Sequence, residues 1–432
     1  MNKALIYLGF LLFPLSSMAQ IPLSLSNAID TALKNNFDIQ IAKNLNEIGK
    51  VNNSYGVAGG LPTVNLTAGN NNSLYDLNQK LSNGTIIQKN NVSNHTVNAA
   101  LTAGFTLFNG FKVYATKERL SILELQSESE LNLQIQNTIA AVMVTYYDII
   151  RQQSYLEIIK SSLDVSSKKS EIVLERYLVG MANNADQLQS KMDVNLAGQN
   201  LQSQQLLIEQ EKISLLQLIG VVEYFDATIN DTIQVDKSIQ KDSIISFLEN
   251  NPQFLSADQQ IRINEQIIKE IRAQRYPTLR INTGYNYAYN SSSAGFNLFN
   301  QNYGPTLGAS LQIPIFNGTI YKTQQEVATY NLRNAELQKE SLLSSLKADA
   351  LKTYQAYEST LKQIESQQAN FQNSKELVDL VIQRFQLNQA TILEVKAAQA
   401  SFETAGYALI NLQFAAKTAE IELKRLVFQL SY

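Results

Sequence analysis

The chain contains no cysteine and only one histidine. Without a thiol there is neither a disulfide framework nor a thiolate nucleophile, and no N-terminal cysteine to carry lipid. A single imidazole, His95, cannot build a multi-histidine zinc site alone, and its Asn/Ser-rich surroundings read as a loop or a strand start. His- and Met-rich runs are absent, which speaks against dedicated metal handling. Charge is scarce as well: 17% of residues are Asp, Glu, Lys or Arg, and Gln, Asn and Ser stand where a soluble enzyme usually carries Lys and Glu. The net charge of -3 argues against nucleic acid as a partner. The apolar run Ala4–Leu15 is too short to span a bilayer and is followed by Ser17-Met18-Ala19, a small-x-small cleavage signal. Residues 1–19 therefore read as a secretory signal peptide, and its removal takes away Lys3, moving the charge from -3 to -4. With 44% hydrophobic residues among 432, any large core must be thin or shared.

What is present is repetition. The segment 28–69 matches 243–284 at a constant offset of 215, which places Asn35-Asn36 on Asn250-Asn251 and Pro62 on Pro277. After an indel the offset becomes 208, from Phe108-Asn109-Gly110 on Phe316-Asn317-Gly318 through to Tyr224 on Tyr432. Each copy reads as helix, two strands, then two helices. The first copy occupies 20–224, with strands at about 62–72 and 95–108 and helices at about 111–179 and 183–220. A linker at 225–241 leads to the second copy, 242–432, with strands at about 277–290 and 303–316 and helices at about 319–387 and 391–429.

The strands alternate with a period of two. Ala99, Leu101, Ala103, Phe105 and Leu107 interleave with Asn98, Thr102, Gly104 and Thr106, and Leu307, Ala309, Leu311, Ile313 and Ile315 repeat the pattern. Such alternation fits a half-buried strand of a soluble sheet or a barrel strand with lipid outside and water inside. Stretches of about 9–11 residues suit a tilted bilayer crossing, and Tyr285, Tyr287 and Tyr289 resemble an interfacial aromatic girdle. The Asn/Ser-rich segments at about 71–94 and 290–302 read as surface loops.

The long helices contain neither proline nor glycine. At 1.5 Å per residue each would be roughly 100 Å long, more than a compact domain holds. Apolar positions recur every seven residues: Ile135, Val142, Ile149, Leu156, Leu163 and, after Ser170, Tyr177 in one copy. The other copy has Leu343, Ala350, Tyr357, Ile364, Phe371, Val378 and Phe385. This is a coiled-coil repeat. A narrow apolar stripe with a broad Gln/Asn/Ser/Lys remainder suits the wall of an aqueous tube or a plain soluble rod. Asn-Gly is a favoured left-handed turn pair, so the two Phe-Asn-Gly turns hand strand to helix, with Phe108 and Phe316 packing over the joint. Four strands cannot close a barrel alone, and lipid does not tolerate open sheet edges. A barrel would therefore be shared between chains, with eight, twelve or sixteen strands all allowed.

The opening "LSLSNAIDTALKNN", the junctions "GGLPTVNL" and "QRYPTLRI", the two "FNG" turns and the tips "RYLVGMANNADQL" and "RFQLNQATILEVK" together resemble the TolC-type outer-membrane efflux and secretion channels over essentially the whole mature chain. The resemblance implies a mixed fold: a membrane β-barrel of twelve strands shared by a homotrimer, continued by a long α-helical coiled-coil barrel across the periplasm. It also implies outer-membrane lipid, a periplasmic adaptor (membrane fusion) protein and an inner-membrane pump of the RND or ABC type as partners. Val179, Gly180, Met181 and Leu387, Asn388, Gln389 would form the adaptor-docking turns, and Asp186, Glu394, Tyr177 and Phe385 the pore entrance. Asn388 stands where the family usually has glycine. Phe385, Ala390 and Ala397 stand where better-studied members carry a tyrosine, an arginine and an aspartate that latch the entrance, and Lys396, Arg384 or Tyr177 are candidates to substitute. Thr106 replaces the proline found at Pro314.

Each tip residue also has a purely structural reading. Gly180 and Asn388 are residue types that stop helices in the left-handed conformation. Asp186 and Glu394 sit at helix N-termini, where an acid gains about 0.3–1 kcal/mol from the dipole. No phosphate-binding glycine loop, metal cluster or nucleophile with a base is legible, so neither catalysis nor a cofactor is expected. Asp186 and Asp193 are seven residues apart on one helix face, but a helix surface offers no obvious pocket for paired-carboxylate chemistry. The expected function is a passive outer-membrane exit duct of a tripartite efflux or type I secretion system. The alternative is a periplasmic coiled-coil structural or adhesive protein without a pore.

Overall fold

The structure, a computed structural model, describes residues 21–430; the leader read at 1–19 lies outside the described residues. The chain divides into two compact units. One is built from Asn44–Glu130 and Gln253–Leu342, the other from the segments ending at Lys43, spanning Leu131–Pro252 and beginning at Leu343. In chain order the elements are β1 (Ile21–Pro22), α1 (Leu25–Asn35), α2 (Phe37–Asn52), β2 (Thr63–Lys80), β3 (Ile86–Asn109), α3 (Lys112–Leu178), α4 (Asn184–Leu218) and β4 (Ala227–Thr228). They continue with α5 (Lys241–Phe247), α6 (Pro252–Ala273), β5 (Thr278–Ser292), β6 (Phe299–Gln312), α7 (Ile320–Gln386) and α8 (Ile392–Leu426).

The first unit holds a four-stranded antiparallel sheet in the order β2-β3-β5-β6. Its central pairing, β3 with β5, joins the two repeats and sets Leu101 opposite Tyr285 and Phe105 opposite Ile281. The strands are longer than their alternation implied. β2 and β3 run 18 and 24 residues, and the segment 71–94, expected to be a loop, is mostly paired ribbon with its turn at 81–85. Cross-strand hydrogen bonds outweigh the weak β-propensity of Asn and Ser. A bulge near Tyr75 and Leu77 is held by the Asp76 carboxylate, which accepts from the Asn91 backbone N–H at 2.8 Å, with Asn91 at φ 56°. His95 consequently lies within β3, opposite Asn72 and edge-on to Tyr289 at 5.9 Å, and is not in a loop. In the other hairpin the expected loop 290–302 shrinks to 293–298.

The strand-to-helix turns also differ from expectation. The left-handed pairs are Gly110-Phe111 (φ 68° and 65°) and Gly318-Thr319 (φ 66° and 69°), one residue beyond Asn-Gly. Asn109 is the last residue of β3, and its side chain accepts from the Val113 N–H at 3.4 Å. Phe108 meets Phe111 edge-on at 5.4 Å, whereas Phe316 is exposed. The asymmetry follows from one substitution. Proline lacks the N–H that a ladder needs, so β6 stops at Gln312 ahead of Pro314, while Thr106 lets β3 continue to Asn109.

Space around the two glycines differs too. A Cβ on Gly110 would lie 2.5 Å from the Ala273 carbonyl oxygen, while one on Gly318 meets nothing within 4 Å. Both alanine variants carry the left-handed penalty of about 1–2 kcal/mol. Gly110→Ala is expected to lower the unfolding temperature of the extracted protein well beyond Gly318→Ala; equal shifts would contradict this packing.

In the second unit the heptad stripe supplies part of the core, with Ile135, Leu156 and Phe371 half-buried against it. Val142 and Ile149 of α3, and Ala350, Tyr357, Val378 and Phe385 of α7, are buried, while Tyr177 at the end of its stripe is exposed. Leu215 and Leu216 of α4 and Ile29 and Ala32 of α1 join Val142 and Ile149 in one cluster. The two repeats use the same device to join helices: Asn36 donates from Nδ2 to the Leu218 carbonyl at 2.8 Å, and Asn251 to that of Leu426 at 2.9 Å. These asparagines are 215 apart and their acceptors 208 apart, matching the sequence offsets.

Candidate functional site

The paired helix ends at 176–186 and 384–394 belong to the second unit. Both close through the same hydrogen-bond pattern. Gly180 N–H donates to the Tyr177 carbonyl at 3.1 Å and Met181 N–H to Arg176 at 2.7 Å; Asn388 donates to Phe385 at 3.1 Å and Gln389 to Arg384 at 2.8 Å. Each is a Schellman ending, with Gly180 at φ 78° and Asn388 at φ 61° in the left-handed position. Asn388 thus adopts the conformation that glycine provides in the first copy, and the Arg384 guanidinium reinforces the turn by donating to the Gln389 carbonyl at 2.8 Å. Between the helices the turns present Val179, Met181 and Leu387 to solvent, with Leu178 and Leu393 beside them.

The following helices begin with side-chain caps. Asn183 accepts from the Asp186 N–H at 2.7 Å. Thr391 and Glu394 form a complete capping box: the Thr391 hydroxyl accepts from the Glu394 N–H at 3.2 Å, and the Glu394 carboxylate accepts from the Thr391 N–H at 2.6 Å. That backbone hydrogen bond, the Thr391 hydroxyl and the nearby Arg384 charge together hold the exposed Glu394 carboxyl below the ordinary carboxylate range. It therefore stays ionised into mild acid. The structural role read for Glu394 is realised in full, and the carboxylate remains at the surface while performing it.

The other two entrance candidates part company. Tyr177 is exposed. Phe385, its image in the second copy, is 2% exposed and belongs to the cluster of Val173, Val381, Ile382 and Val395. Arg176 caps it from the first hairpin, with its guanidinium 4.4 Å from the ring centroid and an N–H donated to the Phe385 carbonyl. Arg176 is therefore the clasp between the two tips, and sequence reasoning missed it because its acceptor is 209 residues away.

A second feature was also missed. A cleft of about 180 Å³ between α3, α4 and α8 contains Ser162, Ser166, Lys169, Asp193, Lys396 and Glu403. Lys169 is buried and its ammonium lies 2.5 Å from the Asp193 carboxylate, which Lys396 approaches from α8 at 3.5 Å. Gln399 donates to Ser162 at 2.6 Å and to Ser166 at 2.9 Å, and Ser162 donates to Glu403. Burial drives the Asp193 carboxyl upward, but the hydrogen bonds from Lys169 and Gln189 and the two lysine charges overcome it and hold the group low. The available signal was spacing: Ser162, Ser166, Lys169 and Val173 recur at four, three and four residues, a polar continuation of a helix face. Of the latch candidates, Lys396 bridges to Asp193 and Arg384 serves its own turn. Asp193 is thus paired with lysine and not with Asp186.

The model of a family described as "Outer membrane efflux protein" matches residues 28–221 and 244–427. The outer membrane protein TolC of Vibrio cholerae is 22% identical over 315 residues, covering 71% of each chain. Among solved structures, VceC from Vibrio cholerae is similar with a TM-score of 0.74 at 18% identity, covering 93% of this chain and 95% of that one. The Campylobacter jejuni CmeC outer membrane channel has a TM-score of 0.76 at 14% identity, covering 94% of this chain and 85% of its own.

Proposed function

The chain belongs to the outer membrane efflux protein family, and on that premise we propose that three copies close a twelve-stranded barrel that continues into a helical duct docked on a periplasmic adaptor and an inner-membrane pump. The protein is an outer-membrane exit duct of an efflux system and not an enzyme: it conducts substrate without making or breaking bonds. The observation that carries the shared barrel is the sheet order. Among the described residues β2 and β6 each have one neighbour, so each leaves an open sheet edge. Lipid offers the backbone groups of such an edge no partner, and pairing β6 of one copy with β2 of the next removes every edge. Four strands from each of three copies give the twelve.

At the far end of the helices the adaptor would meet Val179, Gly180, Met181 and Leu387, Asn388, Gln389. What supports this is the combination of backbone turns fixed by Schellman bonds with exposed apolar side chains. Asp186, Glu394 and Tyr177 would line the entrance, while Phe385 supports it from beneath through the Arg176 clasp. Three copies would gather the acids into rings that attract cations and disfavour anions. The direct test is reconstitution of the purified full chain into a planar lipid bilayer. Stepwise, cation-preferring conductance is expected, and protein that extracts as an oligomer but never conducts would overturn the duct.

A further inference from the structure

The four-stranded sheet sorts its side chains by polarity. Asn65 of β2, Thr102 and Gly104 of β3, Arg280 and Asn282 of β5 and Ser310 of β6 share one face, while Leu66, Leu101, Ile281 and Leu311 share the other. A cleft of about 510 Å³ is lined by Asn65, Thr102, Arg280, Asn282 and Thr306, so the polar face is the hollow one. Within the stretches 63–73, 94–109, 278–292 and 299–312, Arg280 is the only Asp, Glu, Lys or Arg. Every other side chain on the hollow face there is neutral.

Arg280 stands opposite Thr106 and Ser310 at the helix-bearing end of the sheet, where a second cavity, of about 270 Å³, opens. Lys112, the first residue of α3, lines that cavity with Arg280, and Arg275 donates to the carbonyl of Tyr321, another lining residue, at 3.5 Å. The lining contains no Asp or Glu. Among the described residues neither Arg280 nor Lys112 is paired with an acid. The fold asks for neither cation. At the offsets 215 and 208, Arg280 corresponds to Asn65 and Lys112 to Ile320, and those positions fold without charge. A cation is moreover disfavoured at the first residue of a helix, where the dipole is itself positive.

Resting on the shared-barrel reading above, we infer that Arg280 and Lys112 form an anion-binding site on the inner surface of the duct, at the junction of sheet and helices, which takes carboxylate- or phosphate-bearing solutes. Three copies bring two such cations each to one ring, and rings of Arg and Lys select anions. The planar guanidinium of Arg280 suits two oxygens of such a group side by side, and Lys112 adds a point charge. Leu279 and Ile281, on either side of Arg280, belong to the opposite face of the sheet. The guanidinium is therefore presented to the water of the lumen and not to lipid headgroups. Screening over about 8 Å at physiological ionic strength keeps the site local, so it holds an anionic group at the junction without cancelling the acids at the helix ends.

The probe is inorganic pyrophosphate, added to the full chain reconstituted in a planar lipid bilayer. Pyrophosphate is expected to block the conductance in a dose-dependent way. Arg280→Gln should raise the half-blocking concentration about tenfold, the loss of one charge-assisted hydrogen bond, and Lys112→Gln should raise it as well. Because the chain has no cysteine, Arg280→Cys can be treated with trimethylammonioethyl methanethiosulfonate or with its sulfonatoethyl counterpart. The cationic adduct is expected to restore part of the block and the anionic one none, which separates charge from bulk. Native mass checks that each variant assembles. Conductance that pyrophosphate leaves unchanged, or a block that Arg280→Gln and Lys112→Gln together fail to weaken, would overturn the site and leave the duct standing. Absence of any conductance would overturn both.

Discussion

Asp193→Asn is expected to destabilise the helical unit by about 3–5 kcal/mol, the cost of leaving one member of a buried ion pair without its partner. Lys169 is the member left behind: it is 1% exposed, and Asp193 lies 2.5 Å from its ammonium. Asparagine keeps the volume and the Gln189 contact but cannot balance the charge. Lys169→Met is expected to cost clearly less, because Asp193 keeps Lys396 and Gln189 and is itself nearer to solvent. The asymmetry separates this account from a purely steric one, in which the larger side chain would dominate. Chemical or thermal unfolding of the extracted protein, followed by circular dichroism, measures both. The same pair sets a pH dependence. The Asp193 carboxyl is held below its unfolded value, so the unfolded chain takes up the proton first. Its contribution is fully present at neutral pH and is lost as pH falls through and below the ordinary carboxylate range. Asp193→Asn should abolish that portion of the acid sensitivity.

Glu394→Gln and Asp186→Asn are expected to reduce the cation preference of the reconstituted duct several-fold when combined, with neither variant altering assembly. Glutamine is the informative choice at 394. A capping box accepts Glu or Gln at this position, so the substitution removes charge while keeping the hydrogen bond to the Thr391 N–H. At 186 the cap is made by the Asn183 side chain to the backbone N–H, which Asp186→Asn leaves in place. A changed reversal potential under a salt gradient therefore reports on the entrance and not on a frayed helix. Because Glu394 is held in its ionised form by its Thr391 hydrogen bonds and the Arg384 charge, the Glu394-dependent part of the selectivity should persist into mild acid and fade only below the ordinary carboxylate range. Unchanged selectivity in the double variant would reduce both acids to helix caps.

Much of this architecture is written in local pattern. Offsets of 215 and 208 carry the joints Asn36–Leu218 and Asn251–Leu426 as matching pairs, and a seven-residue period marks Val142, Ile149, Tyr357 and Val378 as buried. The same period bears on Phe385, which closes its series and is buried, although the resemblance assigns it to the entrance. Features that depend on a partner far along the chain were not legible. Arg176 clasps Phe385, and Lys396 reaches Asp193 from 203 residues away. The long β2–β3 ribbon was hidden for a related reason: its Asn and Ser residues look like loop until the opposing strand supplies their hydrogen bonds. The shift of the left-handed pair to Gly110-Phe111 could not be read from Asn-Gly propensity, because a dipeptide preference is local and does not fix which two residues of the turn take positive φ.

The central claim is that this chain is one part of a closed, membrane-embedded ring. The measurement that addresses it most directly is the native mass of the detergent-extracted protein, made on material from separated outer and inner membrane fractions. A particle of three chains recovered from the outer membrane is the expected result. A monomer or dimer released in soluble form from the periplasm would contradict it, and would leave the four strands to be explained as the sheet of a coiled-coil protein without a pore.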